Sequence, residues 1–123
     1  MRMKYLYAIV SWGIVALGAV HMLATFRIFH TLNNSALWFF SGGIALALTG
    51  SLNLLHRIYG HIAPWLRRVC IGTNILMTIF GVFSGVVTHA NIATFTMVLG
   101  LLGGATALSL SRSALKTANQ SID

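Results

Sequence analysis

Histidine carries most of the chemistry this sequence could perform. There are five, His21, His30, His56, His61 and His89, beside one cysteine, Cys70, and one acid, Asp123. Two imidazoles from facing helices are what axial ligation of a b-type haem requires, and His21 with His89 is the candidate pair. A His21/His30/His89 cluster could instead hold a transition metal. The competing reading of His21 is structural: a neutral imidazole inside an apolar helix needs a hydrogen-bond partner, and Ser84 or Thr96 at similar depth would provide one. His30 and His61 read as solvated loop residues, and His56 as an interfacial residue beside Arg57.

Other chemistries lack their residues. With Asp123 as the sole acid, no helix offers a carboxylate for proton-coupled exchange, and no Ser-His-Asp set can form. No phosphate-binding loop occurs. The lone Cys70 excludes an intrachain disulfide and Cys-x-x-Cys redox chemistry. Met22, Met77 and Met97 read as packing residues. Asn33-Asn34-Ser35 fits a glycosylation sequon, a short pattern that recurs by chance.

The elements that would position these residues follow from composition. Of 123 residues, 57% are hydrophobic and 7% charged, where a soluble chain is about a quarter charged. Uncharged runs of 22, 29 and 43 residues separate Lys4 from Arg27, Arg27 from Arg57, and Arg68 from Arg112. A helix crossing the hydrocarbon takes roughly 20 residues, so these runs hold one, one and two spans. The expected fold is all-α, a four-transmembrane-helix bundle running up-down-up-down. One membrane domain, 1–123, has helices over about 5–26, 36–56, 69–88 and 91–111, with a polar, fraying tail over 112–123. Ser35 is the expected cap of the second helix, and Tyr59, Gly60 and Pro64 break a second loop over 56–68. Arg2 and Lys4 ahead of an apolar stretch imitate a signal peptide. The stretch is too long and its small-residue site (Ala16-Leu17-Gly18) too weak for that, so an uncleaved first helix is expected.

Charge gives the orientation. Alternating helices place Arg2, Lys4, Arg57, Arg67, Arg68, Arg112 and Lys116 on one side and Arg27 alone on the other, seven basic residues against one. The positive-inside rule makes both termini cytoplasmic. It also explains the net charge of +7 without nucleic acid. Tyr5, Tyr7, Tyr59 and Trp65 then serve as inner interfacial anchors and Trp38 as an outer one.

Each helix carries small and polar residues at helical spacing: Ser11, Gly18, His21 and Thr25; Gly42, Thr49, Asn53 and His56, with Gly43, Ala47 and Gly50 beside them; Asn74, Thr78, Gly81 and Gly85; Thr96, Gly100, Gly104, Ala107 and Ser111. In lipid, small residues permit close backbone approach and polar ones bond between helices. Gly81, Gly85, Gly100 and Gly104 are therefore expected at helix contacts. Asn53 and Asn74 differ in depth by about 3 Å at about 1.5 Å per residue, close enough for a structural hydrogen bond.

Val20-His21 through Thr25, Ala36-Leu37-Trp38-Phe39-Phe40-Ser41-Gly42-Gly43 and Leu52-Asn53-Leu54-Leu55 resemble small uncharacterised bacterial inner-membrane proteins with four helices. The resemblance covers the first two helices. It implies a bacterial plasma membrane, and no activity or catalytic residue comes with it. The expected function is contact rather than catalysis: an accessory subunit of a membrane partner, or a homo-oligomer, set in the lipid bilayer. The alternative is a haem b- or quinone-associated redox subunit using His21 and His89, and a third reading is a pore or carrier for a neutral solute.

Overall fold

The structure, a computed structural model, describes residues 2–116. Its elements are α1 (Arg2–Ile28), α2 (Asn34–Tyr59), α3 (Pro64–Val87) and α4 (Ile92–Leu110), followed by a 3-10 turn over Arg112–Ala114. The described chain is all-helical, and all four helices are long and apolar enough to cross a membrane. Even α4, with 19 residues, is about 28 Å long at about 1.5 Å per residue.

The helix ends depart from expectation in two places. Asn33, not Ser35, caps α2: its backbone is extended, and its side-chain oxygen accepts from the Ala36 amide at 2.8 Å. Asn serves this role as well as Ser, and Ser35 already lies in the first turn. Pro64 opens α3 instead of breaking a loop. A proline in the first turn lacks only an N–H that would have no partner inside the helix, and its fixed φ suits the helical start. The α2–α3 connection therefore shrinks to residues 60–63, and Arg67 and Arg68 join the first turns of α3. Between α3 and α4, His89 takes a left-handed φ of 51°. The Asn91 side chain then caps α4 by accepting from the Ala93 amide at 2.9 Å.

The segment after α4 is more ordered than its polarity suggested. Ala114 and Leu115 are buried against Tyr7 and Leu108, and the Lys116 amide donates to the Arg57 carbonyl at 2.9 Å. The expectation of a fraying tail otherwise concerns 117–123, which lie outside the described residues.

Small residues set how closely the helices approach. A Cβ added to Gly18 would stand 2.6 Å from the Gly43 oxygen and the Ala47 nitrogen, and one on Gly50 would stand 2.7 Å from the Ser11 oxygen. The backbones of α1 and α2 therefore touch. In α3 the glycines receive side chains of α4: Gly81 faces Leu99 and Leu102, and Gly85 faces the Phe95 ring. Gly104 looks toward Val10 of α1, whereas a Cβ on Gly100 would meet nothing within 4 Å. The contact expected at Gly100 is thus not made among the described residues, because α4 turns that face outward. Ile14, Leu46, Leu102 and Ala105 form the main apolar core, joining α1, α2 and α4, with Met77 of α3 packed on it.

Candidate functional site: a buried polar cluster at the basic end

The first turns of α1 and α3 and the last turns of α2 and α4 meet at one end of the molecule. Arg57 Nε donates to the Lys4 carbonyl at 2.8 Å, and Arg67 Nη2 donates to the Leu110 carbonyl at 2.9 Å. Lys4, Arg57, Arg67 and Lys116 all belong to this basic end. Just inside it, five side chains from three helices close on one another: Tyr7 of α1, Asn53 and His56 of α2, and Cys70 and Asn74 of α3.

Helical spacing assembles the group. Tyr7, Ser11, Ile14 and Gly18 form the buried stripe of α1. Thr49, Asn53 and His56 do the same on α2, and Cys70 and Asn74 stand one turn apart on α3. The two carboxamides bond reciprocally, each Nδ2 donating to the other's Oδ1 at 2.8 Å. The Tyr7 hydroxyl donates to Asn53 Oδ1 at 2.7 Å. Asn53 Nδ2 also donates to the Thr49 carbonyl at 2.8 Å, so every hydrogen-bonding position of Asn53 is used. Asn74 reaches α4 as well, through the Ala105 carbonyl at 3.5 Å.

His56 completes the chain of bonds. Its Nδ1 lies 2.8 Å from the Tyr7 oxygen. A phenol has one hydrogen, and it goes to Asn53. The network therefore assigns the imidazole hydrogen to Nδ1, which donates to Tyr7. Nε2 then carries a lone pair, and it is buried without a partner. It faces Gly60, where a Cβ would stand 2.8 Å from Nε2 and 2.6 Å from Cδ2.

The chemistry open to this arrangement is narrow. Tyr7, Asn53, His56, Cys70 and Asn74 are each 0% exposed, so no substrate reaches them in this conformation. Cys70 Sγ lies 3.4 Å from Asn53 Oδ1 and 3.7 Å from the Tyr7 hydroxyl. Those neighbours are neutral, and none is the cation or metal that commonly activates a thiol as a nucleophile. What the cluster does is join α1, α2, α3 and α4 through side-chain bonds that are closed off from the surface.

Two of its members were expected elsewhere. Tyr7 is buried rather than an interfacial anchor, unlike Tyr5 and Trp65, which are exposed. His56 is likewise buried rather than interfacial, because α2 runs on to Tyr59 and carries it a turn deeper. The signal for Tyr7 was present: it precedes Ser11 by four residues on the same stripe.

His21 takes a different partner from those expected. Its ring stacks on Phe39 of α2, with centroids 3.8 Å apart and planes 16° apart. Ser84 and Thr96 are exposed and do not meet it. The close packing of α1 on α2 decides this, since it turns the His21 face toward Phe39 and Gly42. His89 is exposed in the α3–α4 turn, and His30 and His61 are exposed too. Among the described residues no three of His, Cys, Asp and Glu gather where a metal ion could be held. Compared with protein-family models, curated proteins and solved structures, the chain matches none.

Proposed function

We propose that this chain is a small integral membrane protein, a four-helix up-down-up-down bundle, that works through contacts with other helices rather than by catalysis. Its partner is a second copy or a larger membrane protein to which it is an accessory. The observation that carries this reading is the outer face of α4. Thr96, Gly100, Gly103 and Ala107 fall on one face at helical spacing, and a Cβ at Gly100 or Gly103 would meet nothing within 4 Å. Small residues cost lipid contact and find their use where another helix approaches closely. The buried cluster supports the reading from the other direction, because its polar groups are spent on holding the four helices together.

The orientation we infer is N-in and C-in, in a bacterial inner membrane. Its support is the gathering of the basic residues at one end while Arg27 ends α1 at the other, together with the positive-inside rule.

The experiment is Gly100→Leu. Among the described residues nothing lies within 4 Å of a Cβ added there, so the helices should pack as in the parent protein. Native mass spectrometry and crosslinking in mild detergent should show the parent as an assembly and the variant as a monomer. A parent that is monomeric and partnerless under these conditions would defeat the reading.

A further inference from the structure

We propose that residues 111–116 are a strap with two positions. Folded back, as in this structure, the strap seals the buried cluster; lifted, it continues α4 and uncovers Tyr7. Only the fold is needed for this, so it stands or falls separately from the membrane reading.

Nothing in the local sequence ends α4 where it ends. Ser111-Arg112-Ser113-Ala114-Leu115-Lys116 contains neither glycine nor proline, and Arg, Ala, Leu and Lys are among the better helix formers. Yet Ser111 leaves the helix with φ −86° and ψ 122°. The chain then passes through the 3-10 turn to an extended Leu115, with ψ 149°.

Contacts outside α4 hold the bend. In a continuing helix the Leu110 carbonyl would accept from the Ala114 amide; here it accepts from Arg67 Nη2 at 2.9 Å. The Ala114 amide is left with a long bond, 3.4 Å, to the Ser111 carbonyl. Ala114 and Leu115 pack on Tyr7 and Leu108, and the Lys116 amide donates to the Arg57 carbonyl of α2 at 2.9 Å. Straightening would exchange these for the i→i−4 bonds of an ordinary helix. The folded-back position also carries a cost, since Arg67 Nε is buried with no partner. The two arrangements of the segment are therefore discrete and opposed, as a switching element requires.

What the strap covers gives the device its consequence. Tyr7 is fully buried, with Ala114 and Leu115 in its apolar cover. Its hydroxyl bonds both Asn53 and His56. Lifting the strap strips part of that cover from the one residue of α1 in the cluster. The position of the chain after α4 thus sets whether the cluster is sealed at the basic end.

The test measures the strap directly. Spin labels are placed at Lys116→Cys and His61→Cys in the full chain carrying Cys70→Ser, in neutral detergent, and their separation is read by pulsed electron paramagnetic resonance. Folded back, residue 116 lies against Arg57; lifted, it stands about 9 Å beyond Leu110 along the α4 axis, at about 1.5 Å per residue. The parent should show a short distance and a minor longer one. Leu115→Gln, which gives up one buried leucine, should raise the long-to-short ratio about tenfold. Arg67→Met, which releases the Leu110 carbonyl, should raise it too and serves if the first variant fails to fold. Arg112→Pro should lower the ratio about tenfold. Proline suits the first position of the 3-10 turn after an extended Ser111 but cannot sit inside a continuous α4. The strap's backbone bonds come from the amides of Ser111, Ala114, Leu115 and Lys116, so that proline breaks none of them. A single short distance shared by the parent, Leu115→Gln and Arg67→Met would overturn the proposal, because α4 would then end permanently at Leu110. A longer distance that survives Arg112→Pro undiminished would mean a fraying end, not an extending helix, and would overturn it as well.

Discussion

Replacing Asn53 by leucine removes the centre of the buried cluster and should be the most informative single change in the protein. Three strong bonds between helices disappear, the one from the Tyr7 hydroxyl and the reciprocal pair with Asn74, together with the weaker one from the Cys70 thiol. At about 0.6 kcal/mol for each bond between helices in a bilayer, Asn53→Leu should cost about 2 kcal/mol. Asn74→Leu loses only the reciprocal pair and its weaker contacts, about 1 kcal/mol on the same scale. The reciprocal pair is counted in both, so the double variant should cost about 2 kcal/mol rather than 3, a coupling of about 1 kcal/mol. The Tyr7 hydroxyl still accepts from His56 Nδ1 at 2.8 Å in every variant, and where Asn53 is lost its own hydrogen has the Cys70 sulfur, at 3.7 Å, to turn to. The measurement is reversible unfolding in bicelles for the parent, both single variants and the double. Costs that add to within about 0.5 kcal/mol would refute the reasoning, because residues that share two hydrogen bonds cannot act independently.

His21→Phe keeps the stack on Phe39 and should unfold within about 0.5 kcal/mol of the parent, while His21→Ala should cost about 1 kcal/mol. Equal losses in both, together with a Soret band that both abolish, would return His21 to the role of a haem ligand. For orientation, a reporter active only in the cytoplasm should work when fused after Asp123, and one active only outside should work near Asn33 or Asn91; the reverse pattern would overturn N-in/C-in.

Much of the architecture is legible in the sequence because a bilayer allows few solutions. Uncharged runs between Lys4, Arg27, Arg57, Arg68 and Arg112 locate four helices. Counting depth along two of them sets Asn53 and Asn74 at one level, where their amides meet. The ends are less legible. Reading Pro64 as a breaker hid the first turn of α3, and stopping α2 at His56 left that residue at the surface, although it shares a stripe with Asn53. Partners across helices are least legible of all, since periodicity gives a face but not the helix opposite. His21 meets Phe39 because Gly18, Gly43 and Gly50 let α1 and α2 touch. Gly100 lies outside for a similar reason: Gly81 and Gly85 both face α4, whereas in the other G-x-x-x-G Gly104 faces Val10 and Gly100 does not, and spacing alone is the same for both.

Gly60 has an ordinary helical backbone, with φ −61° and ψ −22°, which any residue could adopt. Its lack of a side chain is required by the His56 ring and the His56 carbonyl, which a Cβ would meet at 2.5 Å. A smaller residue at 56 would remove the ring but not the carbonyl, so the imidazole's share of the crowding can be relieved by substitution and the backbone's cannot. Glycine is therefore required at 60 whichever side chain stands at 56, and position 60 is held by the course of the chain at the end of α2 as much as by the hydrogen-bonded group it closes over.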